Sequence, residues 1–356
     1  MKIVAAAENL RDKLGGGVAD LRRMPRDPVA THADGAVLYR YRPAPRASEI
    51  GGAPVLLVPP LGAPDFAYDL RRGCSLVEHL LGEGRAVYLV DYGGMRFADR
   101  GRGMEHWVLD IVPWAVRELS APAHLVAWSL GGVFALLAVA AAAEEGDPLS
   151  VVTVTAIGSP VDVAAVPLVA PLRPLAAVTG GRGLSAIYRA IGSFPAPLVS
   201  AAFQLTAVDR LVTKPLTIAS RIDDRDCLAQ MEAVDHLMNN MHGYPGRVFG
   251  QVYHLMLRNN DLADGGLALG GRTIRLADVD VPVLVVAGRT DVIAPLPAVA
   301  KVTELLTGSP QVRFETAPGG HLGVLTGRRA RDTTWLYLDA FLADHPGQAG
   351  AGPSGP

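Results

Sequence analysis

The chain alternates short apolar runs with helix-like segments, and this alternation constrains its fold more than any other feature. Residues 53–60 ("APVLLVPP") and 85–94 ("RAVYLVDYGG") are apolar runs that end in a proline pair and a glycine pair, as buried strands do. Between them, residues 75–84 space their apolar side chains as a helix does, with Ser75 placed to cap it. Repeated β-α-β units predict an α/β fold with a mostly parallel central sheet covered by helices on both faces.

The same pattern continues along the chain, is interrupted once and then resumes. We predict a helix over 104–119, a strand over 124–128, a helix over about 132–144 and a strand over 150–160. Strands at 281–288 and 311–320 and a helix at 331–345 follow later. The predicted domains are a lead-in (1–50), an α/β core (51–160 and 261–345), an inserted helical cap (161–260) and a disordered tail of linker composition (346–356). Glycines at 178–185 suggest that part of the cap opens as a lid.

The stretch "HLVAWSLGG" (124–132) has a lone serine where the strand runs into the helix. Such a tight turn lifts the side chain above the carboxyl end of the sheet, and it leaves room only for small residues two positions away. Those positions hold Ala127 and Gly131, with Gly132 next. The pattern predicts that Ser129 is a nucleophile on an elbow in which alanine replaces the usual first glycine. The alternative is a serine that only caps the helix.

A serine nucleophile needs a base and an acid, and in this architecture the chain order is serine, acid, histidine. Asp291 follows the strand at 281–288, and His321 lies in a glycine-rich turn after the strand at 311–320. We therefore predict that His321 accepts the serine proton and that Asp291 orients the imidazole. The alternatives are a helix cap for Asp291 and a structural loop role for His321.

The oxyanion formed by acyl attack needs two backbone donors. One is the amide of Leu130 at the start of the helix, and the other lies in the turn "VPPLGAP", where proline has no N–H, so Leu61 or Gly62 is the candidate. Trp128 lines the acyl pocket or belongs to the core. Four further histidines are interpreted as packed or surface residues: His79, His106, His236 and His254.

Charge and cysteine content exclude several classes of function. The formal net charge is −2 with scattered basic residues, so nucleic acid is not an expected partner. Cys74 and Cys227 have neither metal-ligand spacing nor a disulfide framework, which predicts no metal and a reduced, cytoplasmic setting. No G-x-G-x-x-G follows the first strand, and no other cofactor is expected. There is no signal-peptide pattern, and the apolar run at 133–143 is too short to span a bilayer, which leaves peripheral contact with a membrane or lipid body open.

Two blocks of sequence resemble polyhydroxyalkanoate synthases. They are "VLLVPPLGAPDFAYDLRRGCSLVEHLL" (55–81) and "LRNNDLADGGLALGGRTIRLADVDVPVLVVAGRTDVIAP" (257–295), within a resemblance that covers most of residues 50–340. The resemblance implies an α/β-hydrolase core with a cap, in which the nucleophile, acid and histidine fall on Ser129, Asp291 and His321. Relatives of this family often dimerise through the cap, so a homodimer is also an expectation of the resemblance.

The elbow departs from that family, whose nucleophile is cysteine where this chain has Ser129. A cysteine acyl-enzyme is itself a thioester, so loading it from acyl-CoA is nearly isoenergetic, whereas a serine ester is less reactive and favours water as the acceptor. The predicted function is therefore a serine acyl hydrolase (lipase, esterase or thioesterase) acting on apolar acyl esters. Two alternatives remain: a polyhydroxyalkanoate synthase-like acyltransferase using acyl-CoA, and a noncatalytic lipid- or granule-binding protein.

Overall fold

The fold is taken from a computed structural model, which describes residues 2–43, 52–94, 97–167, 193–194, 197 and 208–347. The strands of these segments are β1 (Arg26–Thr31), β2 (Val37–Tyr41), β3 (Val55–Val58), β4 (Val87–Asp91), β5 (Ala123–Trp128), β6 (Val151–Ile157), β7 (Ser193–Phe194), β8 (Tyr244–Pro245), β9 (Gly266–Leu269), β10 (Arg272–Arg275), β11 (Val283–Gly288) and β12 (Val312–Ala317). Within them, one eight-stranded sheet has the order β1-β2-β4-β3-β5-β6-β11-β12. All of its pairs from β4 to β12 are parallel. The predicted α/β fold with a mostly parallel sheet is confirmed.

Helices cover both faces of this sheet. They are α1 (Lys2–Gly15), α2 (Leu76–Gly82), α3 (residues 104–117), α4 (Leu130–Glu144), α5 (Val208–Ser220), α6 (Arg225–Asn239), α7 (Gly246–Gln251), α8 (Leu296–Ala300), α9 (Val302–Leu305), α10 (Gly323–Thr326) and α11 (Thr334–Asp344). As predicted, Ser75 caps α2, because its side chain accepts the backbone N–H of Glu78 at 3.0 Å. Alternate residues of β3 enter different cores: Leu56 faces the α3 and α4 side, whereas Leu57 faces the α2 and α11 side.

Helix α4 lies in the middle of one core and has no wet face over most of its length. Its residues from Gly131 to Ala142 are all buried. Trp107 of α3 stacks on Phe134 of α4, with the ring centroids 6.4 Å apart and the planes 16° from parallel. This burial fixes the direction in which α4 leaves the sheet, and therefore the position of the residue that precedes it.

Two hairpins are not predicted by the sequence pattern. Strands β1 and β2, within the predicted lead-in, form an antiparallel pair that joins the sheet through β4. The sequence "RDPVAT" of β1 carries charges and a proline because this is an edge strand with most residues exposed, so it lacks the apolar signature of a buried strand. The second hairpin, β9–β10, forms a separate two-stranded sheet.

The predicted cap is described at 161–167, 193–194, 197 and 208–260. Helices α5, α6 and α7 lie in it, with a π-helical extension over Val252–Asn259 and the short antiparallel pair of β7 and β8. Ion pairs attach α6 to the core, since Asp226 contacts both Arg71 (2.7 Å) and Arg328 (2.6 Å). The predicted lid glycines at 178–185 and most of the predicted tail lie outside the described residues.

Candidate active site

Ser129 joins β5 to α4 with an unusual backbone conformation. Its φ is 56° and its ψ −128°, a region that costs a non-glycine residue about 1–3 kcal/mol. Two backbone hydrogen bonds hold it there, from the Ser129 N–H to the Ile157 carbonyl at 2.9 Å and from the Gly132 N–H to the Ser129 carbonyl at 3.0 Å. The strain places the serine side chain at the carboxyl end of the parallel strands, as an elbow requires.

Neighbouring atoms lie so close to the two glycines after the serine that a larger residue would not fit at either position. A Cβ on Gly131 would lie 2.3 Å from the carbonyl oxygen of Val58, and a Cβ on Gly132 would lie 2.0 Å from the hydroxyl of Ser159. The first contact is with backbone and cannot be relieved by a side-chain rotation. The alanine that replaces the usual first glycine, Ala127, is accommodated with no exposed surface.

The structure brings Ser129, His321 and Asp291 into one hydrogen-bonded array. His321 Nε2 lies 2.8 Å from Ser129 Oγ, and His321 Nδ1 lies 2.8 Å from Asp291 Oδ2. The side chains of His321 and Asp291 are 6 % and 0 % exposed. Asp291 Oδ1 accepts the N–H groups of Ile293 and Ala294, both at 2.9 Å, so the buried carboxylate has a partner on each oxygen.

Gly158 lies beside the array and was missed by sequence reasoning. It follows β6 with a φ of 57°, and a Cβ there would lie 3.6 Å from both Asp291 Oδ2 and His321 Nδ1. Its N–H donates to the Val286 carbonyl of β11 at 2.8 Å. A glycine directly after a buried parallel strand was the available signal, because all such strand ends meet at the edge that holds the elbow.

Trp128 supports the histidine loop from within the core. It is 3 % exposed, and its indole N–H donates to the backbone carbonyl of His321 at 3.0 Å. The two rings lie 5.1 Å apart between centroids. The core location expected as one alternative is therefore where the structure places this residue, and a contact with an acyl group stays a prediction.

The predicted oxyanion donors lie in two places. Leu130 begins α4, so its amide has no partner within the helix. Leu61 and Gly62 are buried in the turn after β3, and this turn packs against Gly131 of the elbow through the Val58 carbonyl. Their role as hydrogen-bond donors to an oxyanion stays a prediction.

Tyr244 of β8, in the predicted cap, covers Gly62. A Cβ on Gly62 would lie 2.8 Å from the hydroxyl oxygen of Tyr244, and the Gly62 carbonyl accepts the N–H of His242 at 2.9 Å. Burial raises the pKa of Tyr244 to about 12, and a hydrogen bond from the Gly62 backbone opposes that rise. No sequence pattern indicates this contact, because Tyr244 lies far from the turn along the chain.

Three of the four histidines interpreted as packed or surface residues contact other side chains in the structure. His79 Nε2 lies 2.8 Å from Asp339 Oδ2, and His236 packs on the ring of Phe66 with centroids 5.0 Å apart. The ring of His254 lies edge-on to that of Tyr253, with the centroids 5.0 Å apart. Cys74 and Cys227 are both free thiols.

A mostly parallel sheet with a serine at a strand–helix elbow, and with an aspartate and a histidine after later strands, has the arrangement of the α/β-hydrolase fold. Solved structures agree on the fold. The α/β hydrolase domain-containing protein 10 from mouse superposes with a TM-score of 0.51 and 15 % identity, covering 90 % of this chain and 99 % of that one. A thioesterase domain from the curacin biosynthetic pathway gives a TM-score of 0.52 and 12 % identity, covering 89 % and 100 %.

The sequence itself is similar to a poly(3-hydroxyalkanoate) polymerase subunit, PhaC of Allochromatium vinosum. The two chains are 26 % identical over 340 residues, which cover 94 % of this chain and 92 % of the relative. The predicted resemblance to polyhydroxyalkanoate synthases is thus confirmed, with Ser129 in the elbow. No protein-family model matches the chain. Among the helices described, none combines the length and apolar character that a membrane span requires.

Proposed function

We propose that this protein is a serine acyl hydrolase that cleaves apolar acyl esters or thioesters through an acyl-enzyme on Ser129. The observation that carries the proposal is the unbroken hydrogen-bonded array, in which His321 lies 2.8 Å from both the serine hydroxyl and the Asp291 carboxylate. A serine on a strained elbow with a base and an orienting acid is the arrangement that nucleophilic acyl transfer requires.

The proposed reaction has two halves. Ser129 Oγ attacks the carbonyl carbon while His321 Nε2 takes its proton, and Asp291 stabilises the resulting imidazolium. The tetrahedral oxyanion is stabilised by the Leu130 amide and by the Leu61 amide of the turn, because the Gly62 backbone already hydrogen-bonds Tyr244. Its collapse expels the alcohol or thiol with the proton from His321. Water then attacks the acyl-serine with His321 again as base, which releases the free acid.

Apolar surface near the acid supports an apolar acyl group. Val292 directly follows Asp291 and is 45 % exposed, and Leu296 at the start of α8 is 37 % exposed. Burying such side chains against an acyl chain supplies about 25 cal/mol for each Å² removed from water. A short polar acid would gain none of this energy.

Acyl transfer from acyl-CoA is the second candidate, because the sequence similarity to the polymerase subunit of A. vinosum extends over 94 % of this chain. In this alternative, a hydroxyacyl group replaces water as the acceptor of the acyl-serine. A noncatalytic lipid- or granule-binding role is the third candidate, and it leaves the array at Ser129 without a purpose. The proposal places the protein in the cytoplasm, acting alone or as a homodimer, with peripheral contact to lipid as its substrate demands.

The test is a product analysis with acyl esters and acyl-CoA thioesters of increasing chain length. Wild-type protein is compared with Ser129→Ala and with the matched control Ser309→Ala. The Ser309 hydroxyl donates to the backbone carbonyls of Val281 and Gln311, at the amino ends of β11 and β12 and opposite the edge that holds Ser129. Free acid that disappears only in Ser129→Ala supports the hydrolase. Oligomeric or transferred ester supports acyl transfer, and the absence of any Ser129-dependent product contradicts both enzymatic functions.

Ser129→Cys separates the two enzymatic functions further. A thioester acyl-enzyme exchanges its acyl group with hydroxyl acceptors more readily than a serine ester does. We therefore expect the cysteine variant to release less free acid relative to transferred ester when a hydroxyacyl acceptor is present. An unchanged product ratio would contradict the role assigned to the serine oxygen.

A further inference from the structure

Two histidines and two aspartates from different parts of the chain meet near the surface. His32 and Asp34 lie in the turn between β1 and β2, and His106 and Asp110 lie one turn apart on α3. Donor atoms of His32, Asp34 and Asp110 all lie within 4.8 Å of one another. Since Val37 of β2 pairs with Asp91 at the end of β4, this turn is at the carboxyl edge of the sheet.

The distances in this cluster differ from those of a hydrogen-bonded histidine–aspartate pair. Asp110 lies 3.3 Å from His32 Nε2 through one oxygen and 3.3 Å from His106 Nδ1 through the other. Asp34 Oδ2 lies 3.7 Å from His106 Nδ1. By contrast, the paired contacts that His321 and His79 make with aspartate are both 2.8 Å. Donor atoms around a tetrahedral zinc ion with bonds of 2.0–2.1 Å lie about 3.3 Å apart. The two contacts of Asp110 match this spacing, whereas those of Asp34 with His106 (3.7 Å) and with His32 (4.0 Å) are longer.

We propose that His32, Asp34 and Asp110, with His106 as the fourth ligand, bind a divalent first-row transition ion such as Zn²⁺. Two imidazole nitrogens and two carboxylate oxygens suit such an ion better than Mg²⁺ or Ca²⁺, which prefer all-oxygen ligands. The imidazole centroids are 6.5 Å apart, so the two rings approach each other slightly when both ligate. The site does not involve Ser129 and stands independently of the proposed acyl chemistry.

Two tryptophan rings restrict the histidines of the cluster. Trp114 packs edge-on against His32 (5.1 Å), and Trp107 packs against His106 (4.9 Å), which restricts both rings. The Asp34 N–H donates to His32 Nδ1 at 3.2 Å. Ligation through Nε2 moves the ring proton to Nδ1, so that contact is exchanged for one with a carboxylate or water.

Charge in the cluster favours a cation. Arg102 is its guanidinium neighbour, and it is shared between Asp34 (3.2 Å) and Asp99 (3.3 Å). Arg102 therefore offsets only part of the negative charge of the two carboxylates. The side chains of Asp34 and Asp110 are 42 % and 48 % exposed, so an ion has access from water. Asp110 also lies in a π-helical turn over Trp107–Ile111, a feature that recurs at functional sites.

The test is calorimetric titration of ZnCl₂ into untagged, EDTA-treated protein, with CaCl₂ as the second titrant. We expect one zinc ion per chain and no heat of binding with calcium. Asp110→Asn, which keeps the side-chain shape at an exposed position, should weaken zinc binding by at least about tenfold, and so should His106→Gln. The matched controls Asp147→Asn and His236→Gln should bind zinc as the wild type does.

A thermal melt gives a second readout, because an ion that binds only the folded state raises its stability. Zinc should raise the melting temperature of the wild type and both controls, and it should raise that of the cluster variants less at the same zinc concentration. Stoichiometric zinc binding that survives in Asp110→Asn and His106→Gln would place the ion elsewhere and overturn the proposal. The absence of stoichiometric zinc binding in the wild type would do the same and leave only ion pairs.

Discussion

Replacing Asp291 by asparagine tests the proposed array most sharply, because the structure dictates how the carboxamide must sit. Asp291 Oδ1 accepts two backbone N–H groups, from Ile293 and Ala294 at 2.9 Å each. A carboxamide has one accepting oxygen, which therefore stays on these two amides, and its NH₂ group turns to His321 Nδ1. The imidazole must then accept at Nδ1 and carry its proton on Nε2, pointing at Ser129 Oγ. In this tautomer His321 cannot take the serine proton.

The expected loss follows from that tautomer. In Ser-His-Asp enzymes this change lowers kcat by about 10⁴, which corresponds to about 5 kcal/mol of transition-state stabilisation. If Asp291 instead only caps the turn before α8, asparagine serves nearly as well as aspartate, and neither activity nor folding should change much. The two interpretations thus differ by several orders of magnitude in a single rate.

Initial rates of p-nitrophenyl ester hydrolysis and rates of fluorophosphonate labelling provide the assay. The matched control is Asp339→Asn, which alters an aspartate with the same 2.8 Å contact to a histidine, His79, outside the array. Circular dichroism melts should show both variants folded. The control should keep the wild-type rate. If Asp291→Asn also kept more than about a tenth of that rate, the reasoning about the tautomer would be refuted.

The remaining predictions concern backbone fit, capping and a buried histidine. Gly131→Ala should abolish most ester hydrolysis and lower the free energy of unfolding by about 1–3 kcal/mol, because its Cβ meets the Val58 carbonyl oxygen at 2.3 Å. The control is Gly82→Ala, which has nothing within 4 Å of the new methyl and should keep the wild-type free energy of unfolding in urea denaturation. An equal loss of stability in both variants would contradict the argument. Ser75→Ala should lower the free energy of unfolding by about 1–2 kcal/mol in urea denaturation and leave the hydrolysis rate unchanged. A decrease below about 0.3 kcal/mol would contradict the role of Ser75 at the start of α2. Burial lowers the pKa of His124 to about 3, so the unfolded chain binds its proton first as the pH falls. Stability should therefore decrease from about pH 6.5 toward pH 3 by up to about 1.4 kcal/mol per unit, and His124→Gln should remove this component; coincident slopes would rule it out.

Much of the core was predictable because buried parallel strands have a strong local signature. Strand β3 is apolar at every position and ends at a proline pair, and the predicted range of 53–60 brackets the observed Val55–Val58. Strand β1 was not predictable, because it lies at the sheet edge, where Asp27, Pro28 and Val29 are exposed to solvent. Its membership in the sheet depends on pairing with β2, which no local pattern encodes.

The same distinction applies to the sites. Ser129, Asp291 and His321 could be found because chain order and strand ends constrain where a nucleophile, an acid and a base fall. The contact of Tyr244 with Gly62 arises only when the cap folds onto the core, so its residues carry no matching pattern. The cluster of His32 and Asp110 likewise joins a hairpin turn to a helix that lies far along the sequence. Such tertiary contacts are invisible until the topology is known.

The burial of α4 over most of its length has a consequence for biosynthesis. This helix leaves the ribosome early, whereas β11 and β12, which complete the sheet beside β6, are synthesised much later. Until those strands are synthesised, α4 packs against an incomplete sheet, and its apolar surface is exposed to other nascent chains. Folding is delayed further because the pairing of β6 with β11 spans the whole cap, and long-range parallel contacts form slowly. Recombinant yield should consequently depend on chaperone supply and growth temperature more than on the final stability of the native state.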